Sequence, residues 1–186
     1  SSIGHAILLK GKKGIGKLEF AKSLAKSLLC EDLISESQAC GSCSGCRWFE
    51  QGGHPDFYLV EPEALSESSG EIKDKLSSAK LKKKPSKQIS VAQIRSLNDV
   101  VNMSSHRSGY KIVLIHPAEA MNVAAANALL KNLEEPPPQT LFILVTHQPH
   151  HLLPTIHSRC RQIAMPVPDF NLAIDWLEKQ GVKGAK

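Results

Sequence analysis

The stretch Gly11-Lys12-Lys13-Gly14-Ile15-Gly16-Lys17-Leu18 fits the pattern G-x-x-x-x-G-K. It lies between a short apolar run, Ala6-Ile7-Leu8-Leu9, and a stretch with helical periodicity. Few local features restrict a fold as strongly. Glycines let successive backbone N–H groups turn inward around a phosphate. The following helix N-terminus adds partial positive charge, and Lys17 is set to reach terminal phosphates. This geometry requires a strand before the loop and a helix after it, so an α/β chain is expected. A glycine-rich strand-to-helix turn with no ligand is the plainer reading of the same residues.

The rest of the chain follows the same alternation. Residues 17–29 read as a helix, with Phe20, Ala21, Leu24, Ala25 and Leu28 at helical spacing. Phe57-Tyr58-Leu59-Val60 reads as a second strand, after His54-Pro55-Asp56. Residues 91–103 read as a helix capped by Ser90. Lys111-Ile112-Val113-Leu114-Ile115 and Leu141-Phe142-Ile143-Leu144-Val145 are apolar enough to lie inside a parallel sheet. Between them, Asn122 is a candidate cap for a helix whose face is Val123, Ala126, Leu130 and Leu133, and which Pro136-Pro137-Pro138 stops. Residues 161–165 form a weaker fifth strand, Pro166 and Pro168 a linker, and 171–180 a last helix. The expectation is a five-stranded parallel sheet between helices.

Composition sets the outer limits. The 186 residues carry 23 Lys+Arg and 18 Asp+Glu, a net charge of +5, with 41% hydrophobic residues. That supports a packed core and disfavours global disorder. No apolar run approaches the roughly 18 residues of a membrane span, and Ser1 to Lys10 lacks the order of an export signal. No membrane association is expected. The mild positive charge is compatible with nucleic acid or an acidic partner without requiring either. Segment 61–90 has acidic residues early and lysines late, at Lys80, Lys82, Lys83, Lys84 and Lys87. It reads as a solvated insertion, with a basic arm for nucleic acid as the alternative.

Four of the five cysteines, Cys30, Cys40, Cys43 and Cys46, are clustered. Two overlapping C-x-x-C steps plus one more cysteine supply a tetrahedral sulfur set. Zinc is the leading metal, an iron–sulfur cluster is the rival, and four free thiols are the third reading. Four protein ligands leave no open position, so such a site is structural.

The phosphate loop lacks its chemical complement. Leu18 stands where Ser or Thr would ligate Mg²⁺. His116-Pro117 follows the third main strand, where an acidic metal partner is needed, and Glu119 comes later. Metal-borne charge stabilisation supplies several kcal/mol to phosphoryl transfer, so efficient hydrolysis by this chain alone is not expected. The glycines and Lys17 leave nucleotide binding open. Ser158-Arg159-Cys160, taken alone, reads as a helix end with an arginine in a surface salt bridge.

Together, Asn127-Ala128-Leu129-Leu130-Lys131, Leu133-Glu134-Glu135-Pro136-Pro137, Thr146 and Ser158-Arg159-Cys160 closely resemble bacterial clamp-loader subunits of the AAA+ class. The four-cysteine module and His54-Pro55-Asp56 resemble theirs too, and the likeness runs from about Gly4 to Met165. It implies a P-loop NTPase (AAA+) core over 1–165 containing a zinc module at 30–53 and the 61–90 insertion. Residues 166–186 are then the start of a lid, in an isolated N-terminal module. Within the family, Leu18 and His116-Pro117 resemble the hydrolysis-deficient δ′ type of DNA polymerase III, not the γ/τ ATPase type. The likeness implies zinc on Cys30, Cys40, Cys43 and Cys46. It implies a vestigial or weak nucleotide site at Gly11, Gly14, Gly16, Lys17 and Thr146. It makes Arg159 an arginine finger acting in trans on a neighbouring γ/τ subunit. The implied partners are γ/τ and δ subunits, with the sliding clamp and primed DNA reached through the assembly, in the bacterial cytoplasm. A finger of this kind is expected to be solvent-accessible and free of any carboxylate of its own chain. An active γ/τ-type ATPase is the alternative function, and a small-molecule kinase a more distant one.

Overall fold

The computed structural model describes residues 4–35, 38–66, 85–101 and 109–179. The elements are β1 (Ala6–Lys10), α1 (Lys17–Leu29), β2 (Leu33–Ser35), β3 (Gln38–Ala39), α2 (Ser44–Glu50), β4 (Phe57–Val60) and α3 (Glu63–Ser66). There follow α4 (Val91–Val101), β5 (Lys111–Ile115), α5 (Val123–Glu134), β6 (Thr140–Thr146), α6 (Pro154–Arg159), β7 (Arg161–Ala164) and α7 (Phe170–Lys179). Five strands form one parallel sheet in the order β4-β5-β6-β1-β7, and β2 and β3 pair as a separate antiparallel ribbon.

Strand periodicity divides the apolar runs between two faces. Leu8, Val113, Ile115, Phe142 and Leu144 pack against α4, α5 and α6 through Ile94, Leu97, Leu129, Leu133 and Ile156. Ile7, Leu9, Ile112, Leu114, Ile143 and Val145 face α1, where Ala21 and Ala25 meet them. This two-sided burial is why β5 and β6 read as unbroken hydrophobic segments. Each fully buried aliphatic side chain stabilises the fold by roughly 1.5–3 kcal/mol. β7 is an edge strand with every residue exposed.

Helix ends form where short polar side chains supply caps. Asn122 Oδ1 accepts from Ala125 N at 2.8 Å at the start of α5. Ser90 and Gln93 cap each other before α4, with Ser90 N donating to Gln93 Oε1 at 2.9 Å and Gln93 N to Ser90 Oγ at 3.4 Å. Lys111 escapes a periodicity reading. It is buried at the start of β5, and its Nζ donates to Val101 O at 2.7 Å, closing the last turn of α4.

Three expectations need correction. Phe20 is 46% exposed, because α1 approaches the sheet through Lys17, Ala21 and Ala25, and Phe20 lies one residue round from that line. Val123 is 67% exposed, because the buried face of α5 is Ala125, Ala126, Leu129, Asn132 and Leu133, and Val123 precedes its first packed turn. Segment 61–90 is not solvated throughout. Glu61 is half-buried and Pro62 buried at its start, and near its end Ile89 is fully buried, donating from its N–H to Ala120 O at 2.8 Å. The lysines Lys80, Lys82, Lys83 and Lys84 lie outside the described residues. Among the described residues, no helix is long and apolar enough to cross a membrane.

Candidate functional site

At the carboxyl end of the sheet, β1 runs directly into the phosphate loop. Gly14 and Gly16 take φ of 84° and 81°, values that side-chain-bearing residues rarely adopt, and Gly16 is the N-cap of α1. Gly11 is required for another reason: a Cβ there would lie 2.6 Å from Met165 O and 2.9 Å from Ile15 Cδ1. The β1–β6 register sets Lys10 opposite Thr146, so the buried Thr146 sits beside the start of the loop. Gly11, Gly14, Gly16, Lys17 and Thr146 therefore meet where open parallel sheets bind their ligands.

The side chains there are engaged with one another. Lys17 is buried, and its Nζ donates to Gly11 O at 2.7 Å and to Lys12 O. Burial pulls its pKa below the usual lysine value, with the Glu119 charge opposing. Thr146 Oγ1 accepts from Gln148 N at 3.2 Å. His116 Nδ1 lies 2.8 Å from Glu61 Oε1, and the His116 and His147 rings meet edge to face. Glu119 Oε1 accepts from His147 N at 2.9 Å. Among the described residues, Glu119 Oε2 and His147 Nδ1 are buried side-chain atoms without a partner. Desolvation lowers the pKa of His147, chiefly, with the Lys17 charge adding to it. The residues present do not fit a Mg²⁺-bound triphosphate. Leu18 offers no hydroxyl, and His116-Pro117 offers no carboxylate. The Glu61–His116 and Glu119–His147 contacts are invisible in sequence, because each joins segments brought together only by adjacent strand ends.

The cysteine module sits beside α1. Cys30 follows its last turn, and the β2–β3 ribbon leads to Cys40, Cys43 and Cys46 around the start of α2. The four sulfurs lie within 4.8 Å of one another, with Cys30 Sγ 3.6 Å from Cys40 Sγ and 3.9 Å from Cys43 Sγ. A tetrahedron with Zn–S bonds of about 2.3 Å has edges of about 3.8 Å, so the set fits one such ion. Backbone amides stabilise thiolates here. Cys43 N and Ser42 N donate to Cys40 Sγ at 3.3 and 3.4 Å, and they lower the Cys40 pKa to about 6. Cys46 is the buried member, and desolvation pushes it up to about 12. Gly45 allows α2 to approach α1, since a Cβ there would lie 2.6 Å from Leu29 O. Lys26–Glu50 at 2.6 Å and Phe49–Phe57 at 4.6 Å between ring centroids tie the module to α1 and β4. The fifth cysteine, Cys160, is a core residue whose thiol burial pushes up to about 11.

Arg159 lies at the other end of the sheet. It closes α6, and two residues later Arg161 pairs with Ile7 in β1. Four strand steps separate Ile7 from Gly11, about 13 Å at roughly 3.3 Å per residue. Arg159 is thus not part of the cluster at its own phosphate loop. Its environment differs from the expectation. Nη2 lies 2.5 Å from Glu134 Oε1, with the two side chains 33% and 49% exposed. Nη1 donates to Thr155 O at 3.0 Å and to Ser158 Oγ at 3.3 Å. The expectation of a side chain free of its own chain's carboxylates is overturned. The ends of α5 and α6 meet because both helices pack on one face of the sheet.

Fold and loop geometry define a P-loop-type α/β domain whose phosphate loop is built in backbone but lacks its metal-binding side chains. The DNA polymerase III, delta subunit family matches residues 1–169, and the chain belongs to that family, on its δ′ branch. It is 42% identical over 175 residues to the DNA polymerase III subunit delta' of Pseudomonas aeruginosa, covering 94% of this chain and 47% of that protein. Over 161 residues it is 39% identical to the delta' subunit of Bacillus subtilis, covering 87% and 42%. A subunit tau from Salmonella typhimurium is 36% identical over 167 residues, covering 90% and 22%. Among solved structures, a DNA polymerase III gamma subunit-related protein from Thermotoga maritima is similar at 25% identity and a TM-score of 0.59. That match covers 96% of this chain and 49% of the other. The chain spans about half the length of the delta' relatives it matches.

Proposed function

We propose that this chain is the N-terminal module of a non-catalytic clamp-loader subunit. It acts in the bacterial cytoplasm with γ/τ and δ subunits to place the sliding clamp on primed DNA. Arg159 is the residue through which it acts on ATP hydrolysis, in a neighbouring γ/τ subunit. The observation that carries this reading is the separation of Arg159 from its own phosphate loop by the length of the sheet. A guanidinium there has no nucleotide to serve in cis, and its permanent charge and forked donors suit phosphate oxygens presented by another chain. The pair with Glu134 is compatible with that role, because half-exposed ion pairs contribute only about 0–1 kcal/mol.

In this reading the phosphate loop is vestigial or weak and serves as architecture. The γ/τ-type ATPase alternative is disfavoured by Leu18 and by His116-Pro117. Cys30, Cys40, Cys43 and Cys46 would hold zinc, which when bound cross-links the end of α1 to a module too small to bury its own core. The test is a reconstituted assembly containing the full-length chain with Arg159→Ala. DNA-stimulated ATP hydrolysis and clamp loading are expected to fall, by less than the 10³–10⁵ seen where one arginine finger carries the whole rate. Folding and zinc content should stay unchanged. Wild-type rates in a normally assembled complex would return Arg159 to a structural helix-end role.

A further inference from the structure

We propose that Glu134 is a positioning residue for Arg159. It is the counter-ion that holds the guanidinium on this chain until a terminal phosphate at the neighbouring subunit's nucleotide site takes its place. The proposal rests on the reading of Arg159 given above and adds the group against which that arginine must be exchanged.

The root of the arginine is fixed while its tip is not. Ile156 and Cys160, on either side of it, are buried in the core. Nη1 is engaged with the end of its own helix, at Thr155 O and Ser158 Oγ. Among the described residues, the charged contact of Nη2 is with Glu134 Oε1, at 2.5 Å. Glu134 is itself held in position as the last residue of α5, whose following residue, Glu135, donates from its backbone N–H to Lys131 O. The direction of the fork is therefore set by one carboxylate on a second element.

A carboxylate and a phosphate present similar oxygen pairs to guanidinium N–H groups, so each can replace the other at the same donors. They do not share them well. A carboxylate left in place would repel the incoming phosphate and cancel part of the charge that the phosphate needs. Phosphate engagement thus requires release of Glu134. Exposed pairs of this kind bias an equilibrium by about two- to fivefold. That is enough to keep the arginine oriented on an isolated subunit and too little to oppose a triphosphate.

The test uses a reconstituted clamp-loader complex carrying the full-length chain as wild type, Glu134→Gln, Arg159→Ala and the double variant. Glu134→Gln keeps shape and removes charge, and Glu134→Ala serves as a second variant should the amide hold the arginine by a neutral hydrogen bond. Affinity for a fluorescent non-hydrolysable ATP analogue is measured directly, together with KM and kcat for ATP in the presence of primed DNA. Loss of the carboxylate should tighten analogue binding and lower KM by about two- to fivefold, without lowering kcat. The gain should vanish in the Arg159→Ala background. A fall in kcat, weaker analogue binding, or an equal gain without Arg159 would overturn the proposal. If Arg159→Ala is impaired while both Glu134 variants match wild type, this inference alone fails. If Arg159→Ala itself is silent, the Arg159 reading falls and this proposal with it.

Discussion

The phosphate loop and the cysteine module stand on either side of α1, and they are built on opposite principles. In the loop, the Lys17 ammonium is turned onto loop carbonyls, and beside it Glu61 pairs with His116 while Glu119 accepts from the His147 backbone. In the module, four sulfurs face each other, linked among themselves and to nearby amides only by weak contacts. The loop's form is set by glycine dihedrals and by the packing of Gly11 against Met165. The module is a site made of side chains. Its geometry is set by four of them, drawn from separate segments.

The sharpest way to break this comparison is to remove the zinc proposed for the module. Elemental analysis should find one zinc per chain. Chelation, or Cys43→Ser, should abolish amide-exchange protection across 30–53 while strand amides of β5 and β6 keep theirs, since structural zinc sites contribute about 10–16 kcal/mol of apparent binding energy. A metal-free protein with a fully protected module, or a brown protein with visible absorbance, would contradict it. Next in size is the loop's packing. Gly11→Ala should destabilise the fold by about 1–3 kcal/mol in denaturant melts, because the added methyl meets the backbone carbonyl of Met165. An unaffected midpoint would mean that the loop's conformation is not held by this contact.

A smaller effect should appear with pH. Burial lowers the folded-state pKa of His147 and of His54, so both are held neutral. The unfolded chain then binds more protons as pH falls through about 6.5, and stability declines in that direction. His147→Gln should flatten part of the slope between about pH 7.5 and 5.5 in thermal melts, and an unchanged slope would exclude His147 as a contributor. The smallest expected change is in hydrolysis. Leu18→Thr restores one Mg²⁺-binding group but no acid at His116-Pro117, so Mg²⁺-dependent ATP turnover by the purified chain should stay at background. Turnover that Lys17→Ala removes would show the loop to be catalytically competent.

The strands of the main sheet were legible because parallel strands buried on both faces leave continuous apolar runs. Residues 57–60 and 111–115 are found at the expected bounds, and α1 spans 17–29 as its periodicity predicts. Helix faces were less legible. Hydrophobicity alone could not tell that α1 approaches the sheet through alanines, leaving Phe20 outside. The β2–β3 ribbon is too short for any periodicity to register. Ile89 is an isolated apolar residue in a polar segment, and its burial follows from a bridge to Met121, far along the chain.

The division between sequence and structure follows the range of the interactions. Spacing alone determined the phosphate loop, the cysteine quartet, the Asn122 and Ser90 caps and the missing metal ligands, because each is a matter of which residue stands a few positions from another. Strand order and register decided the rest. They separate Arg159 from its own loop by the length of β1, bring Glu61 to His116 and Glu119 to His147, and leave the end of α5 beside the end of α6. Glu134 and Arg159 are 25 residues apart in the chain. No local pattern links them. Only two helices packed on one face of a parallel sheet make them a pair.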